Sequence, residues 1–119
     1  MSTTADKKLI LMGLVEPASD DLIGAFNDWY LGNHVEDTFN CPVITSVRSF
    51  RAVKGFMGEP PSQYLTIYEF TGSDAQAAEA ALAAYQADPE GWNKRLPNNN
   101  SMAVVGAGWY EEALAFGTD

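Results

Sequence analysis

Few residues in this chain can move a proton near neutral pH. His34 is the single histidine, so any imidazole chemistry belongs to it. Tyr30 stands four residues before it and Asn33 directly before it, and the spacing Phe26, Tyr30, His34 puts three rings along one helical face. A positioned imidazole serves as general acid or base, and a phenol one turn away can donate to a developing oxyanion. The bland alternatives are a helix-end histidine that satisfies last-turn carbonyls and a core tyrosine with its hydroxyl turned to water. Tyr64 and Tyr68 share one face of an alternating segment, where they either line a pocket for a ring or pack at an interface. Arg48 and Arg51 fall on opposite faces of another strand. An inward Arg48 would bind a carboxylate or phenolate of a substrate, whereas a salt bridge with a surplus carboxylate is the plain reading.

Other candidates carry less. Trp29 adjoins Tyr30 and so points about 100° away from it on an α-helix, which assigns it to covering the loop or the helix flank rather than to substrate. Trp92, after Pro89 and Gly91, is placed at a cavity mouth. Asp28, Glu36 and Asp37 surround His34 in sequence, but no second histidine completes a facial triad, so no metal is expected. Cys41 is the one cysteine, which rules out an internal disulfide and reads as a structural thiol. Gly106-Ala107-Gly108 reads as a bulge or a close backbone approach rather than a phosphate loop.

The elements that must hold these residues are short and closely spaced. Lys8 to Val15 is almost wholly aliphatic and fits a buried strand, and residues 1–7 read as a disordered tail before a single domain over 8–119. A helix is predicted from about Asp20 to Gly32 or His34, with Ser19 or Asp20 as cap and Val35 to Pro42 as a connection. Strands follow at roughly Ile44 to Val53 and Gln63 to Phe70, then an alanine-rich helix from Ala75 to about Ala87 capped by Ser73 or Asp74, then a last strand from Ser101 to about Glu111. The order β-α-β-β-α-β is that of the ferredoxin-like α+β fold, a four-stranded antiparallel sheet with both helices on one face. Leu65 and Ile67 are assigned to the helix side, so the tyrosines are expected on the uncovered face. A second copy would cover that face, and two sheets packed together would enclose a chamber reached by His34.

Composition narrows the partners. The chain has 119 residues, 46% of them hydrophobic, with 16 acidic and 7 basic side chains and a net charge of -9. Such an excess of negative charge repels phosphate backbones and anionic lipid, so neither a nucleic acid nor a membrane is expected as partner. The run Leu9 to Val15 is too short to span a bilayer, and the opening residues lack the apolar stretch and cleavage site of a signal peptide, which points to a cytoplasmic protein.

Several stretches together carry a resemblance. Asn27-Asp28-Trp29-Tyr30-x-x-Asn33-His34-Val35-Glu36-Asp37, Cys41-Pro42, Arg48-x-Phe50-Arg51 and Tyr64-Leu65-Thr66-Ile67-Tyr68-Glu69-Phe70 resemble the dimeric α+β-barrel superfamily, and within it the small EthD-like proteins. The likeness runs from Leu9 to about Tyr110. It departs at Glu36, where the pattern has proline, and at Pro42-Val43, where it has Pro-Gly. The resemblance implies a homodimer that works without a bound cofactor, in a superfamily of lyases, isomerases, polyketide cyclases and monooxygenases. It also implies that the matching histidine acts as acid or base or positions substrate.

The expectation is therefore a cofactor-independent enzyme of lyase, isomerase or cyclase type acting on a small, largely apolar oxygenated substrate. His34 and Tyr30 would be catalytic, with Tyr64, Tyr68, Arg48, Asn33 and Trp92 binding substrate. Two other readings remain open at this stage: a cofactor-free monooxygenase on the same scaffold, and a non-catalytic module that stores a small ligand.

Overall fold

The computed structural model describes residues 8–88 and 98–117. The proposed tail at 1–7 lies outside them. Strands β1 (Leu9–Pro17), β2 (Ile44–Arg51), β3 (Tyr64–Phe70) and β4 (Met102–Glu111) form one sheet in the order β2-β3-β1-β4. All neighbouring pairs are antiparallel, which makes this the ferredoxin-like α+β topology. β1 and β3 occupy the centre, and β1 is accordingly the most uniformly aliphatic strand. β4 carries a register shift opposite Leu14 and Val15, beside the Gly106–Gly108 stretch, as the glycines suggest.

The first helix is longer and less regular than periodicity implies. Residues 20–39 wind without interruption through a 3-10 turn at Asp20–Leu22, an α-helical turn at Ile23–Phe26, a π-helix at Asn27–His34 and an α-helical end at Val35–Phe39. The expected connection from Val35 is thus its last turn. Nothing in Val35-Glu36-Asp37-Thr38-Phe39 breaks a helix, and the Thr38 hydroxyl donates to the His34 carbonyl at 2.9 Å. Ser19 sits at the N-terminus but makes no capping bond; its hydroxyl donates instead to the Asp21 carboxylate at 2.7 Å. The second helix, Ala75–Ala87, starts as predicted: the Asp74 carboxylate accepts from the Gln76 and Ala77 amides at 3.0 and 3.2 Å.

Both helices cover the same sheet face, and this face carries the tyrosines. One core cluster joins Tyr68 and Phe70 of β3 to Ala78 and Leu82 of the second helix, and another joins Tyr64 to Phe26, Trp29 and Tyr30 of the first. The assignment of Leu65 and Ile67 to the helix side is therefore reversed. Alternation shows which residues share a face but not which face is covered. Size decides it here. The alanine side chains of the second helix contribute little volume, so the core there is filled from the sheet by Tyr68, Phe70 and Trp109, with the last two rings meeting edge to face at 4.9 Å. The uncovered face holds cross-strand rows in register, Phe50–Leu65–Leu14 and Arg48–Ile67–Met12. Phe50 is 49% exposed there.

Candidate functional site

The π-helix gathers the site. Its wider turn closes hydrogen bonds between residues five apart, as between the Val35 amide and the Tyr30 carbonyl. Trp29 and His34 are five apart, and their rings stack with centroids 4.4 Å apart at 26°. On an α-helix the same two side chains would diverge, so the assignment of Trp29 to the helix flank is corrected: it is fully buried and forms the wall against which the imidazole rests. Tyr30 lies next to the same pair, 5.6 Å from the imidazole and 6.3 Å from the Trp29 ring between centroids, and itself stacks on Phe26 at 5.0 Å. Asn33, also on the π-helix, is buried. π-Helical turns inside longer helices are frequent at functional sites. This one carries every first-helix residue that the sequence singles out for chemistry.

The sheet supplies hydroxyls from below. The Tyr30 hydroxyl lies 2.6 Å from Oγ1 of Thr66, and that oxygen lies 2.7 Å from Oγ of Ser49. The Tyr64 hydroxyl donates to the side-chain oxygen of Asn27 at 3.3 Å. Burial raises the Tyr30 phenol above its ordinary pKa, against an opposing pull from the Thr66 hydroxyl. Burial raises Tyr68 far more, and the adjoining Tyr30 adds to the shift. Both phenols therefore stay protonated through the neutral range and act as hydrogen-bond donors, not bases. The indole N–H of Trp29 is buried with no acceptor among the described residues. A buried donor without a partner is uncommon and marks where a ligand oxygen would be welcome.

These shifts have a consequence for stability. Below the ordinary tyrosine value of 10.0 the phenols are protonated in both folded and unfolded chains, so their contribution is fully present. Above it the unfolded chain loses protons that the folded chain retains, and stability falls with rising pH. Denaturant unfolding at pH 9 to 12 should show this decline, and Tyr68→Phe should flatten it; an equal slope in the variant would contradict the buried, neutral phenol.

The structure thus sets Tyr30 beside His34, with Asn33 buried on the same π-helix and Tyr64 and Tyr68 on the sheet face that the helices cover. Arg48 is not among them. It sits on the opposite face of the sheet, beside Ile67, because the sheet itself separates it from the imidazole. Trp92 lies outside the described residues. The chamber expected between two open faces and reached by His34 is overturned on the same ground, since the imidazole lies on the helix side. Thr66 and Ser49 were missed by sequence reading. The signal available was a small polar residue, Thr66, set between two tyrosines on what proves a buried face; nothing in the sequence marks the π-helical turn.

Comparison with solved structures places this architecture. The chain resembles a protein described as a candidate monooxygenase from Shewanella loihica PV-4, at 17% identity over 94% of this chain and all of that one, with a TM-score of 0.54. It resembles HapK from Hahella chejuensis at 17% identity, over 93% of this chain and 97% of that one, with a TM-score of 0.56. An ethyl tert-butyl ether d (EthD) family protein from Bacillus halodurans C-125 matches at 16% identity, over 86% of this chain and 96% of that one, with a TM-score of 0.51. No protein-family model matches the sequence, and no curated protein does. The chain therefore shares the ferredoxin-like α+β fold with these proteins; at these identities the likeness concerns architecture, and chemistry must be argued from the site. No helix among the described residues is long and apolar enough to cross a membrane.

Proposed function

We propose that the protein is a small-molecule enzyme doing general acid–base chemistry with His34, on the helix side of its sheet. One observation carries this reading: the single imidazole of the chain, partly buried, is stacked on Trp29 and set beside the Tyr30 phenol. A base held in one orientation by a ring wall, next to a protonated donor, suits removal of a proton from carbon next to a carbonyl. His34 takes the proton. The substrate oxygen gains negative charge as the carbon–hydrogen bond breaks, and the Tyr30 hydroxyl donates to it. The aromatic surroundings select a small, largely apolar oxygenated substrate, and the reaction is an isomerisation, ring closure or elimination that needs no cofactor. Asn33, Tyr64 and Tyr68 are assigned to substrate contact on this side of the sheet. The test is steady-state turnover on a panel of cyclic ketones, 1,3-diketones and phenols, for the intact chain and for His34→Gln. Oxygen uptake is recorded throughout, since consumption would favour a monooxygenase and silence an elimination or isomerisation.

The same proposal includes a homodimer formed through the open sheet face. That face is apolar across its middle rows, and both outer strands, β2 and β4, end the sheet with an unpaired edge. A second copy covers the apolar rows symmetrically. In this arrangement each copy keeps its own His34 site on the far side of its sheet, and Arg48 belongs to the interface rather than to the substrate.

A further inference from the structure

We propose that Ser49, Thr66 and Tyr30 form a hydroxyl relay that carries a proton between solvent and the site. The inference rests on the acid–base reading above and deepens it by supplying the proton that the reading requires. Thr66 is fully buried at the centre of the sheet, Tyr30 is buried above it, and Ser49 belongs to the exposed edge strand β2. The oxygens stand 2.6 and 2.7 Å apart in sequence from Tyr30 to Thr66 to Ser49. These are short hydroxyl–hydroxyl contacts, and each group is both donor and acceptor. Either oxygen of each pair can be the donor, so the chain has two directions of equal connectivity. A chain with that property passes a proton by concerted hops, whereas a single fixed donor cannot.

The step balances without any further reagent. His34 removes a proton from substrate carbon and becomes imidazolium. The electron pair of that carbon–hydrogen bond moves onto the substrate oxygen. Tyr30 gives its hydroxyl proton to that oxygen, takes one from Thr66, which takes one from Ser49, which takes one from water. Every hydroxyl ends as it began. The imidazolium returns its proton to solvent, and no atom is oxidised or reduced. Ser49 and Thr66 are positioning residues in this scheme, since they act on substrate only through Tyr30. Their placement also accounts for a buried threonine between two tyrosines, where a β-branched aliphatic side chain would pack as well.

The test needs no substrate. Exchange of the Tyr30 hydroxyl proton with bulk water is measured by NMR on the intact chain, on Ser49→Ala and on Thr66→Val. Ser49 sits on an exposed edge, so its alanine variant is expected to fold; unchanged amide protection in β3 checks this. The relay predicts that Ser49→Ala slows Tyr30 hydroxyl exchange roughly tenfold, the change given by one lost hydrogen bond in the barrier, and that Thr66→Val slows it at least as much. Exchange as fast as in the intact chain, or faster, in Ser49→Ala would mean that the hydroxyl exchanges by local opening, and the relay would be overturned. His34→Gln should leave this exchange untouched. Loss of the relay and loss of the acid–base role are thereby read separately.

Discussion

His34→Gln should lower turnover on any substrate found in the panel by roughly 10²–10⁴-fold, the range a positioned general base supplies. Glutamine keeps a planar, polar end that can still rest on Trp29, so the loss reports the missing base and not a collapsed wall. KM should change little, because binding is assigned to the aromatic surroundings and not to the imidazole. The pH profile of kcat/KM should lose the limb set by a group in the histidine range, as no other side chain of that ordinary pKa exists in the chain. Turnover within a few fold of the intact protein would remove His34 from the mechanism. Turnover that falls only through KM would make it a binding residue.

On the proposed homodimer, Leu65→Glu should leave a monomer. Leu65 lies between Phe50 and Leu14 in the middle of the uncovered face, with no basic residue in its row. In a monomer the new carboxylate points to water and costs little. In the dimer it would be buried without a partner, a cost of about 3–5 kcal/mol for each uncompensated charge. The symmetric interface holds two, so the dissociation constant should rise by roughly 10⁴-fold or more. Sedimentation equilibrium reads this directly: the intact chain at twice its 12.9 kDa and the variant at once. A variant that sediments with the intact protein would show that some other surface joins the copies. An intact chain that sediments as a monomer would leave the apolar rows open to a different partner.

Much of the fold was legible because strands and helices advertise themselves by period. The alternating run through β3 and the capped alanine helix fall where sequence places them, and their order fixes the ferredoxin-like topology. Two features were not legible, for physical reasons. The first is the covered side of β3. Leu65 and Ile67 look like core and the tyrosines look like surface, yet beneath a helix of small side chains it is the large rings that supply the core volume. The second is the π-helical turn. Its residues obey no special composition, but it shifts the meeting of side chains from four apart to five. That shift moves Trp29 from the flank to the wall of the site, and it is why Tyr30 and His34 could be singled out from spacing while their neighbour could not. Arg48 shows the complementary case: strand alternation placed it on the right set of residues, and only the reversed facing of the sheet removed it from the imidazole.

The central claim is that small oxygenated molecules meet His34 on the helix side of the sheet. Titrating 1,3-cyclohexanedione into the isotope-labelled protein and following side-chain NMR resonances tests it most directly, because the chain has one histidine and its ring signals are unambiguous. The predicted result is a saturable shift of the His34 ring and of the Trp29 indole N–H, with the methyls of Leu65 and Ile67 unmoved. Shifts confined to those methyls, with the imidazole silent, would put the ligand on the opposite face and contradict the account.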